Sequence, residues 1–289
     1  MKSTWLLVTT SKSFLLINKN FGSGYRIDEG RGLYYGISID KDQILIGARR
    51  RLVSSDIPQN EESGQILAFD RCWNCDSVLM APFPLRDIHQ ILLHQGQLWV
   101  TCAFDNCIAI YDYESCQWED WYPLGFPQND PKDVNHFNSL SIFDQNLCIL
   151  AHNKGDSDLL FFKLPDRTFV DSIRLGKQAH NIWRQNDAWA TCSSAEGKLI
   201  DTKGFTVNTG GFPRGIAFLD EEICVGISEI AERSQRDFTT GHLLFFDYRW
   251  NFKYSIDLLE EGLVLDISML PDTWNKPIKN LLEFPITRI

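Results

Sequence analysis

The chain has 289 residues, of which 44% are hydrophobic and 12% aromatic, enough for a substantial core in one large all-β domain or two ordinary ones. Its formal charge of −10 and pI near 5.1 argue against a phosphate-tracking nucleic-acid binder, which needs a concentrated basic face. The opening Met-Lys-Ser-Thr-Trp-Leu-Leu-Val-Thr-Thr is too short in apolar residues for a signal-peptide core, and no later run reaches the length of a membrane span. The expectation is a soluble cytoplasmic protein without membrane contact.

Period-two alternation and turn punctuation resolve the chain into short strands, and no stretch holds a 3.6-residue apolar stripe over a dozen residues. The N-terminus supplies Trp5–Thr9, Phe14–Asn18 and Tyr25–Asp28. A unit then begins at Tyr35-Gly-Ile-Ser-Ile-Asp, an apolar run that ends at a turn and is followed at once by a second run. Taking Tyr35, His89, Asn138, His180, Arg214 and Leu265 as equivalent first residues gives spacings of 54, 49, 42, 34 and 51, the range of propeller blades.

Each unit can be written as four strands, A to D. The second reads Ile88–Leu93, Gln97–Ala103, Cys107–Asp112 and Trp118–Leu124. The third reads Asn138–Phe143, Leu147–His152, Asp158–Leu164 and Phe169–Leu175. The fifth reads Gly215–Leu219, Ile223–Ser228, His242–Asp247 and Lys253–Leu258, with a charged insertion between B and C. Leu265-Asp-Ile-Ser-Met-Leu is an A strand with nothing after it, and the three N-terminal strands have no A before them. Joined, they make one blade, so the expectation is an all-β, single-domain, six-bladed β-propeller over residues 1–289, closed by one C-terminal and three N-terminal strands. Residues 272–289, with Pro277 and Pro285, read as a tail packed outside or frayed.

Cys102, Cys148, Cys192 and Cys224 fall inside or at the end of apolar runs, where free cysteine acts as a small hydrophobe, so the eight cysteines read as reduced thiols. Cys72-Trp-Asn-Cys75 has no second pair at zinc-finger spacing and reads as a pair in a loop. The short Arg49-Arg50-Arg51 run reads as a solvated loop or an anion contact.

In a propeller the D-to-A and B-to-C connections share one face around the axis. This places His89, His136, Asn138, His180, Asn181 and Arg214 at A-strand entrances and Arg49, His152 and Glu229 at B-strand exits, with His94 opposite and His242 farther out. His136, His152 and His180 each stand beside or near an asparagine, and neutral imidazoles of this kind suit a divalent metal. Glu229 is the candidate general base, Arg214 a candidate clamp for a carboxylate or phosphate, and His89, Asn138, Asn181 and Arg49 are candidate substrate contacts. The competing reading makes each His–Asn pair a set of hydrogen bonds to the neighbouring blade. The insertion from Glu229 to Gly241 reads as a lid held by ion pairs or as a solvated loop. No G-x-S-x-G elbow, Walker A loop, G-x-G-x-x-G or H-E-x-x-H is present.

The layout resembles the six-bladed propellers of the gluconolactonase, senescence-marker and strictosidine-synthase group, which implies a divalent ion at the channel entrance. The corresponding stretch of the first blade is Leu33-Tyr-Tyr-Gly-Ile-Ser in place of their Glu-Gly-Pro entrance, so their catalytic residues do not carry over. Pro213-Arg-Gly-Ile-Ala-Phe, Val225-Gly-Ile-Ser-Glu and His136-Phe-Asn-Ser-Leu are more similar to a bacterial propeller family found near biosynthetic or sugar-modifying genes. That likeness gives weight to His136, Asn138, Arg214 and Glu229 and implies no activity. Two functions remain open: a metal-assisted site for a small polar metabolite, with hydrolysis or isomerisation as its chemistry, and a non-catalytic platform for a protein or peptide partner.

Overall fold

The computed structural model describes residues 4–20, 23–129, 132–274 and 281–289. Strands pair into six antiparallel sheets, the six blades of a propeller, and they fall into two compact units. Unit one comprises Met1–Ile57, Gln65–Met80 and Arg214–Ile289; unit two comprises Pro58–Gly64 and Ala81–Pro213.

Blades one, five and six belong to unit one. Blade one runs Tyr34–Ile39, Ile44–Ala48, Gln65–Phe69 and Cys75–Leu79. Blade five runs Phe212–Phe218, Ile223–Ser228, Gly241–Phe246 and Phe252–Asp257. Blade six is the expected splice, in which Val264–Met269 pairs with Trp5–Thr10, followed by Ser13–Asn18 and Ser23–Glu29. Its register places Leu6 opposite Met269 and Val8 opposite Ile267.

Every residue of Ser13–Asn18 is buried, because both sheet faces are covered. Alternate side chains of a strand point to opposite faces. Leu6, Val8, Leu15 and Ile17 therefore pack with Cys224, Phe245 and Val264, while Leu7, Phe14 and Leu16 pack with Tyr34, Ile44 and Ile46. One sheet thus feeds two cores, and the spliced strands Trp5–Thr10 and Ser13–Asn18 are buried almost throughout.

The segment read as a tail takes sheet positions. Leu282–Pro285 adds a fifth strand to blade six against Ser23–Glu29, and Thr287–Arg288 adds a fifth to blade five against Phe252–Asp257. These strands cover outer edges that would otherwise present unpaired backbone groups. Pro277 lies outside the described residues.

Unit two holds blades two, three and four. Blade two runs Ile88–His94, Gln97–Cys102, Cys107–Asp112 and Gln117–Trp121. Blade three runs Ser139–Phe143, Asn146–His152, Asp156–Lys163 and Thr168–Lys177; blade four runs His180–Gln185, Ala188–Ser193, Lys198–Asp201 and Thr206–Asn208. Here Trp99, Ile108, Ile149 and Phe162 fill one core and Cys148, Leu150, Leu159 and Leu175 another.

One turn recurs in chemistry as well as place. At the C-to-D corner of blade one the Asp70 carboxylate accepts from the backbone N–H of Cys72 and Asn74, both at 2.8 Å. In blade five Asp247 accepts from Arg249 at 2.8 Å and Asn251 at 2.9 Å. Both turns read Asp-x-x-Trp-Asn, with Trp73 and Trp250 at φ 68° and 65°. An aspartate that captures backbone N–H groups two and four residues on closes such a corner. Cys72 and Cys75 therefore belong to a turn, and all eight cysteines are free thiols. Burial pushes the Cys148 thiol up to about 12, which removes it as a nucleophile. Among the described residues no helix is long and apolar enough to cross a membrane.

Candidate metal centre

Four of the six histidines meet in unit two. Ring centroids of His136 lie 4.6 Å from His89 and 4.4 Å from His152, and His180 lies 5.9 Å from His89 and 6.2 Å from His152. The cluster joins His136, His152 and His180, read as metal ligands, to His89, read as a substrate contact. His94 sits on strand A of blade two near the A-to-B turn, and the His242 Nδ1 pairs with Asp257 in blade five at 2.7 Å.

Backbone irregularities aim these rings. In blade two, the pairing of strands A and B slips between Ile88 and Ile91, so His89 and Gln90 share one partner position. The Thr101 hydroxyl accepts from the N–H of His89 at 3.0 Å and of Gln90 at 2.8 Å. Blade four repeats the device: the register slips at Asn181, which has φ 59°, and Thr191 Oγ1 donates to the carbonyls of His180 at 3.1 Å and Asn181 at 2.8 Å. Such bulges re-aim a side chain that regular alternation would bury.

His136 stands on the connection into blade three at φ 39°, a left-handed conformation that costs a non-glycine residue about 1–3 kcal/mol. Its loop is held from beneath. The Asn106 Oδ1 accepts from Val134 N at 2.7 Å and Asn135 N at 2.9 Å, and the Asn135 carbonyl accepts from His152 N at 2.9 Å.

Two carboxylates complete the cluster. His136 Nδ1 lies 2.5 Å from Asp133 Oδ1, and His89 Nε2 lies 3.1 Å from Asp87 Oδ1. Asp87 is 3% exposed; it accepts from Gln59 Nε2 at 2.8 Å while its own N–H donates to Glu62 Oε1 at 2.8 Å. One atom each from Asp87, His89 and His136 lie within 4.8 Å of one another. Asp87 and Asp133 are absent from the sequence reading, although Asp-x-His89 and Asp-x-x-His136 are visible spacings.

The partners fix the imidazole tautomers. A carboxylate at Nδ1 makes that nitrogen of His136 the donor and puts the lone pair on Nε2. The Ser194 hydroxyl donates to the Pro213 carbonyl at 2.7 Å, so it accepts from His180 Nδ1 at 2.9 Å, and the His180 lone pair is likewise on Nε2. His152 is wired in reverse: its Nδ1 accepts from Lys154 N at 3.1 Å, which places the proton on Nε2. Burial would raise the Asp133 carboxyl, but the hydrogen bond and charge of His136 outweigh it; Asp87 opposes them, Lys154 adds to them, and the group is held below the usual carboxylate range.

Other candidate residues take separate places. Asn138 is buried between strands: its Nδ2 donates to the Ala179 carbonyl at 2.8 Å and its Oδ1 accepts from Ser139 Oγ at 3.0 Å. The N–H of Asn181 donates to the same Ser139 hydroxyl at 2.8 Å. In unit one, Arg214 donates to the Tyr35 hydroxyl at 2.5 Å, and Arg49 is 5% exposed. The basic run is thus not simply solvated, since Arg51 is also buried and donates to the Ile57 carbonyl at 2.7 Å. Glu229 is exposed and accepts from Thr240 N at 3.1 Å. The insertion after it is anchored by the fully buried Asp237, whose Oδ2 accepts from Ser54 N at 2.7 Å.

No protein-family model matches the chain, and no curated protein matches it. Solved structures match across most of its length at low identity. A chain of a nidogen/laminin complex is 8% identical, with a TM-score of 0.61 over 92% of this chain and 98% of its own. An auxiliary nutrient binding protein from Bacteroides thetaiotaomicron is 11% identical, with a TM-score of 0.57 over 84% of this chain and 66% of its own. At these identities the likeness is one of fold, and it agrees with six blades whose chemistry is this chain's own.

Proposed function

We propose that unit two binds a divalent transition metal through Asp87, His89 and His136 and uses it to hold a small polar metabolite. The observation that carries the reading is the approach of these three donors within 4.8 Å, with the His136 ring backed by Asp133. Imidazole and carboxylate suit zinc and its neighbours, and a ligand histidine usually donates its other nitrogen to a carboxylate or carbonyl. His180, with Nδ1 committed to Ser194, has the same form and is the further ligand candidate. His152, whose Nδ1 accepts from Lys154 N, is wired differently from His136 and His180.

Bound there, the ion would supply Lewis acidity toward a carbonyl or a water, the chemistry of a hydrolase or isomerase. Asp133 would keep the proton on His136 Nδ1 and fix the orientation of the ring. Ser194 would do the same for His180 without adding charge.

The test is zinc titration of metal-stripped protein against a chromophoric chelator. One equivalent is expected to bind tightly, and affinity is expected to collapse in Asp87→Ala and His136→Ala while their metal-free melting curves stay cooperative. Zinc at about 100 times its Kd should stabilise the folded protein by about 2.7 kcal/mol. Absence of zinc binding, or equal binding by both variants, would overturn the reading and favour a non-catalytic platform for a protein or peptide partner.

A further inference from the structure

Unit two also places two thiols at one position of a strand ladder. Cys102 ends strand B of blade two, Cys107 begins strand C, and the two are direct partners in the pairing. They are 1% and 4% exposed. Tyr113 N donates to the Gly96 carbonyl at 3.0 Å, and Ala103 N donates to the Asp87 carbonyl at 3.2 Å. Counted along the alternation of an antiparallel ladder, both bonds make Cys102 and Cys107 a hydrogen-bonded pair, with Cα atoms about 5.5 Å apart and side chains on one face. That spacing lies within the span of a disulfide. The sulfurs already meet: their hydrogen bond, ahead of burial, holds the proton on Cys102 and its pKa well above the ordinary thiol value.

The corner between the two cysteines carries the loops of the histidine cluster. Ala103 holds the Asp87 carbonyl, the Phe104 carbonyl accepts from Asp133 N at 2.9 Å, and Asn106 Oδ1 takes the N–H groups of Val134 and Asn135. Three of the four residues from Ala103 to Asn106 thus grip the backbone around Asp87 and His136. In a hydrogen-bonded pair the Cβ atoms stand about 5 Å apart, and a disulfide draws them to about 3.8 Å. Closure therefore strains the corner, and strained disulfides are the ones that small thiols reduce readily.

We infer that Cys102 and Cys107 are a redox-active pair that hydrogen peroxide oxidises to a disulfide, and that this disulfide weakens metal binding by unit two. The second half rests on the metal reading; the first does not. Cys107, the more exposed thiol, attacks one peroxide oxygen as its thiolate. The O–O bond breaks, the other oxygen leaves as water, and Cys107 becomes a sulfenic acid. Cys102 then gives up its proton and attacks the sulfenic sulfur; the S–O bond breaks and a second water leaves as the S–S bond forms. The two thiols lose their protons and an electron pair, and the peroxide is reduced to water. A small thiol reverses the step by exchange and leaves as its own disulfide.

The test treats the metal-free full chain with hydrogen peroxide, removes the peroxide with catalase, then unfolds, alkylates and maps the protein by peptide mass without reduction. Cys102 and Cys107 are expected to be linked to each other and to return as free thiols after dithiothreitol. Zinc should bind the oxidised protein about tenfold or more weakly than the reduced protein, the loss typical of disturbing the groups behind metal ligands. That loss should reverse on reduction and be absent from Cys107→Ala and from Cys102→Ala, either of which serves if the other does not fold. Absence of the Cys102–Cys107 link would overturn the pair. A link that leaves zinc affinity unchanged, or an equal loss of affinity in the alanine variants, would overturn the regulation. Zinc bound by neither form would remove the metal reading and the regulation with it, while the pair is still decided by mass alone.

Discussion

Asn106 is the residue on which the geometry of the His136 loop hangs, and replacing it separates two costs. The side chain is 1% exposed at φ 57°, and its Oδ1 receives the N–H groups of Val134 and Asn135 at 2.7 and 2.9 Å. Asn106→Gly keeps the left-handed backbone at ease but removes the acceptor. Leaving a buried donor unmet costs about 1–3 kcal/mol, so two give a loss of about 2–4 kcal/mol once some water reaches the loop. Asn106→Ala loses the same bonds and adds about 1 kcal/mol for a left-handed alanine. Asn106→Asp keeps the acceptor and tolerates the conformation but buries a charge, so it should lie below wild type and above Gly. Urea unfolding near pH 7 should rank wild type and Asp above Gly, and Gly above Ala, with the melting temperature falling several degrees in the last two. If Gly and Ala both unfold within about 0.5 kcal/mol of wild type, or Asp is as unstable as Gly, the clamp does not hold the loop.

Asp133→Asn should weaken zinc binding about 10–100-fold, because the ligand histidine loses its carboxylate partner. It should also cost about 1 kcal/mol in metal-free stability, the difference between a charged and a neutral hydrogen bond. Since the Asp133 carboxyl is held below its usual range, that stabilisation is present above about pH 4 and is lost as pH falls through the lowered folded value; the gap between variant and wild type in urea should therefore close on acidification. Glu222 offers the same test in unit one, where its carboxylate takes Lys19 at 2.8 Å, Tyr254 at 3.1 Å and Lys253 in a short contact. Burial pushes its carboxyl up, but these partners outweigh burial and the net shift is downward, so Glu222→Gln should cost about 2–3 kcal/mol above pH 4.3 and progressively less below it. A gap independent of pH in either variant would refute its assignment.

The blades were legible because burial on both faces writes itself into strand B as an unbroken apolar run, as in Leu147-Cys-Ile-Leu-Ala and Ile223-Cys-Val-Gly-Ile, with turn residues at each end. The splice of chain ends was legible by counting strands. The two outer strands after Pro271 were not, because an edge strand of four residues or two carries no periodicity, and Thr287–Arg288 pairs at only two positions. The histidines could be sorted by their position in the repeat. Asp87 and Asp133 could not, because each lies before its strand in a connection whose path depends on contacts far along the chain: Asp87 is met by Gln59 and Glu62, and the loop of Asp133 is met by Phe104 and Asn106.

The entrance of strand A is where the fold leaves chemistry open. In blades one, two and four the pairing slips there, and the residues at the slip or next to it are Tyr35, His89 and His180. A bulge removes a side chain from the two-faced core without breaking the sheet, so the position escapes the apolar requirement that fixes its neighbours. What each one then does is set by the nearest connections. Around His89 and His180 in unit two these bring imidazoles, Asp87 and the Asp133 loop; around Tyr35 in unit one they bring Arg49 and Arg214. Exchanging charge at the connections, as in Asp133→Asn, should change ligand binding far more than it changes the strands beneath.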